Sequence, residues 1–224
     1  MAFLLVLLIH ALSAGATDKP HILYLIADDL GNKDAGFQGS QFATPNLDKL
    51  AASGTTLKTF YVQPFSSQTQ AALLTGRYPM RYGLQTLSIL PSSQFGLADD
   101  ERTLAQGLKD TGYHTAFIGS WRLGHVKPEF WPTRRGFDYF YGFMGGDMDQ
   151  WQPVLYENHE LVPRSTNPDY IMTKDLVDRA ATWLRRVRSI QPDKPYFLYM
   201  ATGATHAPHH VSPEFLTRFR GKFD

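Results

Sequence analysis

The residues of this sequence that are best placed to do chemistry form three short groups. Asp28 and Asp29 are adjacent carboxylates, Ser66 and Ser67 precede a helix-compatible run, and His206 lies in a histidine-rich segment. Adjacent carboxylates repel each other, and a hard divalent cation with oxygen ligands, Ca²⁺ or Mg²⁺, offsets that repulsion. A solvated turn or a helix cap is the alternative for the same pair.

The serine and histidine groups also have two interpretations each. A hydroxyl at a helix N-terminus lies beside free N–H groups and the positive end of the helix dipole, which favour an anionic substrate. Ser66 or Ser67 equally suits the role of a plain N-cap. His206 suits an acid, a base or a ligand, or else a histidine on a surface loop. The role of each group depends on the elements that position it.

Short apolar runs alternate with helical patterns along the chain, and this order predicts an α/β fold. Strands are predicted at 21–27, 114–119 and 195–202, and helices at 46–53, 102–111 and 169–190. The runs are typical of buried parallel strands, so we expect a mostly parallel central sheet with helices on both faces. Residues 127–168, rich in glycine, proline and aromatic residues, predict an ordered but irregular excursion. Ligands of such sheets gather at the carboxyl ends of the strands, where Asp28 and His206 fall.

The first sixteen residues predict a signal peptide. They read MAFLLVLLIHALSAGA, an apolar run followed by Ala14 and Ala16 in a cleavage-site arrangement. A buried first strand or a membrane anchor is the alternative, but the run is shorter than the roughly 20 residues that span a bilayer. We therefore expect no stable membrane span, a mature chain that begins near Thr17, and entry into the secretory pathway.

The composition excludes some classes of function. Lys and Arg number 22 against 21 Asp and Glu in 224 residues, so nucleic acid is not an expected partner. Cysteine is absent, which excludes disulfides and thiolate metal sites. A hydrophobic content of 43% is enough for one sizeable core.

Taken in order, the motifs resemble the N-terminal portion of the sulfatases, especially those similar to arylsulfatase B. The matching segments read HILYLIADDLG, ATPNLDKLAASG, YVQP, AALLTGRYPMRYGLQ, LKDTGYHTAFIG, PTRRGFD and FLYMATGATHAPHH. The resemblance implies an alkaline-phosphatase-like fold, hydrolysis of sulfuric esters, and residues 17–224 as the N-terminal part of a catalytic domain. It also implies Asp28 and Asp29 as Ca²⁺ ligands, Ser66 at the nucleophile position, and His206 at the departing ester oxygen.

The segment 66–70 departs from the family's Cys-x-Pro-Ser/Thr-Arg motif. In the family, the cysteine or sometimes a serine becomes a formylglycine nucleophile, whereas here Ser66, Gln68 and Gln70 stand at the Cys, Pro and Arg positions. The maturation enzymes are expected to read the missing Pro and Arg, so the sequence predicts that Ser66 is not converted. An unconverted hydroxyl is a weak nucleophile without a base or a metal.

A second departure lies in the family's Gly-Lys-Trp-His-Leu-Gly segment. At 119–124 the Lys and His are replaced by Ser120 and Arg122. Arg122 keeps a positive charge that can hold a sulfate oxygen, but it is no acid or base near neutral pH. Family members also continue beyond the length of this chain, where further metal ligands lie. We therefore expect a weak or partial Ca²⁺ site, and a sheet edge that a partner could cover.

Three functions stay open from the sequence. The leading hypothesis is a sulfatase-family chain whose incomplete site gives little or no turnover of sulfuric esters. The second is a phosphatase-like hydrolase that uses Ser66 directly. The third is a secreted, non-enzymatic binder that holds a sulfated ligand with Arg77, Arg122 and His206. The expected ligand of the first and third is a small sulfate ester or a sulfated glycan.

Overall fold

The computed structural model describes residues 19–85 and 88–222. The predicted signal peptide at 1–16 and the expected mature start near Thr17 lie outside the described residues. The described part of the chain forms one sheet with helices packed against it.

The sheet has six strands in the described part of the chain. In chain order they are β1 (Ile22–Ile26), β2 (His114–Ser120), β3 (Tyr139–Phe143), β4 (Tyr156–Glu157), β5 (Glu160–Leu161) and β6 (Tyr196–Ala201). The spatial order is β1-β6-β2-β3-β4-β5. The first four strands in this order are parallel, and β4 and β5 add an antiparallel ribbon. The predicted mostly parallel sheet is confirmed.

Three of these strands lie in the segment 127–168, for which the sequence predicts only irregular structure. β3 is a run of aromatic residues with one glycine, and it has no period-2 alternation because it is buried on both faces. β4 and β5 are two residues long, which is too short to show any period. A prediction from sequence patterns therefore misses β3 because it is buried on both faces, and misses β4 and β5 because they are too short.

Helices cover both faces of the sheet, as predicted. Within the described ranges the α-helices are α1 (Pro45–Ser53), α2 (Ser66–Thr75), α3 (Leu104–Asp110), α4 (Met172–Ile190) and α5 (Pro213–Phe219). Residues of α2 and α3 share one apolar cluster with Phe117 of β2. Residues of α4 share the cluster on the opposite face with Ile118. Neighbouring residues of β2 therefore point into different layers of the core.

Strand β1 differs from its prediction as a fully buried strand. Leu23 is 56% exposed and Leu25 53% exposed, whereas Tyr24 packs against the core beside α2. β1 is an edge strand of the sheet. The described residues place no further strand beside it and no helix over Leu23 and Leu25. The predicted open sheet edge is thus present in the described part of the chain, together with one uncovered apolar face.

The parallel register brings the carboxyl ends of three strands together. Ile26 of β1 pairs with Ala201 of β6, and Ala201 pairs with Gly119 of β2. A Cβ on Gly119 would lie 1.8 Å from the carbonyl oxygen of Ala201, and its φ is +116°, so only glycine fits this close approach. The residues that follow these three strands, which include Asp28, therefore share one end of the sheet.

Candidate functional site

Asp28, Ser66 and Arg122 meet at the carboxyl end of the sheet. Ser66 Oγ donates a hydrogen bond to Asp28 Oδ1 at 2.8 Å, and Arg122 Nη2 donates to Asp28 Oδ2 at 2.5 Å. The side chains of Arg122 and Asp28 are 7% and 14% exposed, so their ion pair is shielded from water. Both carboxylate oxygens of Asp28 are therefore engaged by donors from the chain itself.

The two serines of the predicted nucleophile segment have different roles. Ser66 is the first residue of α2, and Phe65 is the N-cap, which has no side-chain capping bond. Ser66 is therefore not the N-cap that the sequence left open as an alternative. Ser67 is fully buried, and its Oγ accepts a hydrogen bond from the backbone N–H of Ile89 at 2.9 Å. Ser67 supports the packing, and Ser66 faces the polar groups at the end of the sheet.

Gln70, which stands at the family's arginine position, ties α2 to β2. Its Nε2 donates to the carbonyl oxygen of Ser120 at 3.0 Å, and its side chain is buried. Its Oε1 has no hydrogen-bond partner among the described residues. Where the resemblance implies a charged guanidinium, this chain therefore has a neutral amide that is hydrogen-bonded to the end of β2.

Arg122 is held in one orientation by the end of β2. It has a φ of +57°, which is uncommon for a residue with a side chain, and its Nε donates to Ser120 Oγ at 2.9 Å. Ser120 Oγ in turn donates to the carbonyl oxygen of Gly145 at 2.7 Å. Burial lowers the pKa of the Arg122 guanidinium, and the nearby carboxylates of Asp28, Asp29 and Asp147 act in the opposite direction.

His206 lies near Asp29 and Asp147. His206 Nε2 is 3.6 Å from Asp29 Oδ2, and its Nδ1 is 3.2 Å from Asp147 Oδ1. Thr205 Oγ1 donates to the backbone carbonyl of Asp28, which joins the loop after β6 to the end of β1. Among the described residues, no hydrogen bond joins His206 to Ser66.

Asp147 is the site residue that the sequence analysis missed. It lies in the glycine-rich segment 145–149, which has no strand or helical pattern that would place it at the end of the sheet. The adjacent glycines, Gly145 and Gly146, were the available signal, because such a pair allows close approach of the backbone to a neighbouring group.

The arrangement of the carboxylates does not suit a Ca²⁺ ion as it stands. Ca²⁺ takes six to eight oxygen ligands, whereas the oxygens of Asp28 are bound to Ser66 and Arg122 and the side chain of Asp29 is 60% exposed. Within the described ranges, no group of three or more His, Asp or Glu side chains is arranged to hold a metal. Binding of Ca²⁺ by Asp28 and Asp29 stays a prediction, and in this structure Asp28 is paired with Arg122.

Arg77 does not belong to this site, although the sequence groups it with Arg122 and His206 as a possible anion binder. It follows the C-terminal end of α2, eleven residues after Ser66, which corresponds to about 16 Å along a helix. There Arg77 forms an ion pair with Glu101. The anion-binding hypothesis therefore keeps only Arg122 and His206.

An open cavity of about 930 Å³ adjoins Asp28 and Ser66. Its polar wall carries Asp28, Asp29, Ser66 and Gln70, and its apolar wall includes Leu23 and Leu25 together with Leu57, Phe60 and Val62. A polar end next to an apolar wall suits a ligand with one charged group and a less polar body.

None of the helices in the described ranges is both long and apolar enough to cross a membrane.

Comparison with known proteins places this site in context. A family profile described as Sulfatase matches residues 20–224. The chain is 35% identical to arylsulfatase J of Mus musculus over 219 residues, which covers 91% of this chain and 35% of that protein. It is 36% identical to N-acetylgalactosamine-6-sulfatase of Canis lupus familiaris over 235 residues, which covers 94% of this chain and 44% of that protein.

Solved structures agree with these relatives. The crystal structure of Ps i-CgsB superposes with a TM-score of 0.83 at 33% identity, over 92% of this chain and 49% of that one. A protein of the alkaline phosphatase superfamily from Vibrio parahaemolyticus has the same fold, with a TM-score of 0.56 at 22% identity over 88% of this chain and 43% of that one. The chain thus spans between about a third and a half of the length of these relatives.

Proposed function

The chain belongs to the sulfatase family, and we propose that its site binds sulfate esters but turns them over little or not at all. The observation that carries this proposal is the pairing of Asp28, whose two oxygens each accept a hydrogen bond, one from Ser66 and one from Arg122. In this arrangement the residue at the nucleophile position is a plain hydroxyl, and the carboxylate beside it is already paired.

Proton transfer from Ser66 is unfavourable in this geometry. Asp28 is the acceptor of the Ser66 hydroxyl, but protonation of Asp28 would remove the anion from a shielded ion pair with Arg122. Arg122 cannot replace the family's histidine as an acid or a base. Loss of one well-placed electrostatic contact in an active site costs about 2.7–4 kcal/mol, or a hundred- to a thousand-fold in rate.

The proposed ligand class is a sulfated carbohydrate or another sulfate ester. The name of one matched protein, N-acetylgalactosamine-6-sulfatase, concerns such an ester, and Ps i-CgsB has a structure in complex with a carbohydrate, k-i-k-neocarrahexaose. In this chain, the cavity that adjoins Ser66 is lined by Asp28 and Asp29, and Arg122 and His206 contact these two carboxylates from outside the lining. A guanidinium holds sulfate oxygens by charge-assisted hydrogen bonds, which supports binding without chemistry.

A phosphatase-like hydrolase remains the second candidate, because one observation favours it. The hydrogen bond from Ser66 Oγ to Asp28 Oδ1, 2.8 Å long, is the contact that a base-activated serine nucleophile needs. This candidate requires no formylglycine. It does require Asp28 to accept a proton in spite of its pairing with Arg122.

Hydrolysis of an aryl sulfate and of an aryl phosphate separates these functions. We expect no release of product from either ester above the level of Ser66→Ala, with the exposed Ser92→Ala as a matched control. We also expect a sulfated oligosaccharide to bind the unmodified chain. Phosphate release that Ser66→Ala abolishes and Ser92→Ala preserves would establish the second candidate instead.

Two further features belong to the proposal. Entry into the secretory pathway rests on the apolar leader at 1–16. A protein partner rests on β1, whose edge carries no strand in the described residues and whose Leu23 and Leu25 are more than half exposed. The partner that we propose is a second copy of this chain, because the edges of two identical strands can pair about a two-fold axis.

A further inference from the structure

Arg122 is unusual among the charged residues near the cavity because its guanidinium is buried and bonded on two sides. Nε donates to Ser120 Oγ at 2.9 Å and Nη2 donates to Asp28 Oδ2 at 2.5 Å, while the side chain is only 7% exposed. Ser120 is itself buried and bonded to the backbone of Gly145. These hydrogen bonds therefore hold the positively charged guanidinium of Arg122 in one position.

Gly146 provides the space that the guanidinium occupies. A Cβ built on Gly146 would lie 2.5 Å from Nη1 and 2.8 Å from Cζ of Arg122. Gly146 is not among the described glycines with positive φ, and the three atoms nearest to the new Cβ all belong to the guanidinium of Arg122. The glycine and the arginine thus fit each other sterically.

One carboxylate contacts this guanidinium directly, that of Asp28. The carboxylates of Asp29 and Asp147 lie 3.6 and 3.2 Å from the ring of His206 instead. An arginine side chain keeps its proton in proteins near neutral pH. It therefore supplies a permanent positive charge against the carboxylate of Asp28.

We propose that Arg122 is the resident cation of this site and fills the place of a divalent metal, so that the chain holds Asp28 and Ser66 in position without Ca²⁺. The proposal goes beyond the proposed function, since it concerns the cation that organises the site and not the ester that binds there. It also explains why the carboxylate oxygens of Asp28 are directed at the chain's own donors.

Thermal unfolding of the full chain in CaCl₂ or in EDTA, at matched ionic strength, tests the proposal directly. We expect the wild-type chain to unfold at the same temperature in both buffers, and to show no saturable Tb³⁺ luminescence. Arg122→Ser should unfold several degrees lower in EDTA, because it leaves a shielded carboxylate unpaired. CaCl₂ should raise its unfolding temperature, because the freed carboxylates can then bind the ion. Arg134→Ser, which removes an exposed arginine, is the matched control.

Gly146→Ala keeps the experiment decisive if Arg122→Ser does not fold. Its methyl group displaces the guanidinium without any change in charge, so it should also gain a response to Ca²⁺, whereas Gly107→Ala, with no atom within 4 Å of the new Cβ, should not. A saturable Ca²⁺ response of the wild-type chain would overturn the proposal, and so would variants that show none. The assay contains no ester, so its failure is distinguishable from failure of the proposed function.

Discussion

The carboxylate of Asp28 lies 2.5 Å from Nη2 of Arg122, at the end of the sheet where β1, β6 and β2 terminate together. The family resemblance implies a metal ligand at the first position and a histidine at the second. The replacement of that histidine by arginine places a permanent cation against the carboxylate. The resemblance therefore implies that this site differs from the family's in both its proton chemistry and its charge balance.

Ser67→Ala is expected to destabilise the fold. Ser67 Oγ accepts a hydrogen bond from the buried N–H of Ile89, and loss of the acceptor leaves that donor unpaired, at a cost of about 1–3 kcal/mol. The free energy of unfolding in urea measures this cost. The exposed Ser92→Ala should stay within about 0.5 kcal/mol of the wild type, and equal losses for both variants would contradict the structural role of Ser67.

Gly119→Ala is expected to prevent folding. The new Cβ would lie 1.8 Å from the carbonyl oxygen of Ala201 at a φ of +116°, so two paired strands of the parallel sheet would have to separate. Soluble yield and near-ultraviolet circular dichroism report the outcome. Gly107→Ala in α3, which meets no atom within 4 Å, should fold and gain up to about 1 kcal/mol. A soluble, native-like Gly119→Ala variant would contradict the observed approach of β2 and β6.

The stability of the chain is expected to fall as the pH decreases below 6.5, in part because of His114. Burial, followed by the charge of Lys194, lowers the pKa of His114 from its ordinary value of 6.5. A pKa that is lower in the folded state than in the unfolded state gives stability that is present above pH 6.5 and lost as the pH falls through the folded value.

Urea unfolding at pH 7.5 and pH 5 measures this contribution. His114→Gln should lose less stability than the wild type between these two values, since glutamine does not bind a proton. The Asp and Glu side chains are the same in both proteins, so their contributions to the change in the free energy of unfolding largely cancel in the comparison. An identical pH dependence of the two proteins would show that His114 does not contribute.

The uncovered face of β1 is expected to make the isolated chain self-associate. Leu23 and Leu25 are exposed beside an unpaired strand edge, and such edges pair with other chains. The double variant Leu23→Lys and Leu25→Lys should therefore shift the chain towards monomer in size-exclusion chromatography with light scattering. Leu50→Lys, at a residue of α1 that is 63% exposed, is the matched control. A wild-type chain that is already monomeric would contradict the proposed second copy.

The sequence predicts the layers of this fold better than the contacts within its site. Apolar runs and helical patterns locate β1, β2, β6 and α4, because buried strands and long amphipathic helices have strong periodic signals. The resemblance to sulfatases is confirmed by the comparisons. It indicates which strand ends are expected to carry the residues of the site.

The details that decide function depend on tertiary geometry. The pairing of Arg122 with Asp28 joins residues 94 positions apart, and no local pattern specifies it. Asp147 reaches the site through a glycine-rich segment without periodic signal. The exposure of Leu23 depends on which elements cover β1, and the sequence of β1 alone cannot supply that information.

We infer that Ser66 remains a serine, whose hydroxyl donates a hydrogen bond to Asp28. Mass spectrometry of the tryptic peptide 59–77, taken from chain secreted by cells that mature other sulfatases, tests it most directly. We predict the mass of the unmodified peptide, because Gln68 and Gln70 replace the residues that the maturation enzymes are expected to read. A peptide that has lost two hydrogen atoms at Ser66, as formylglycine formation requires, would contradict the claim.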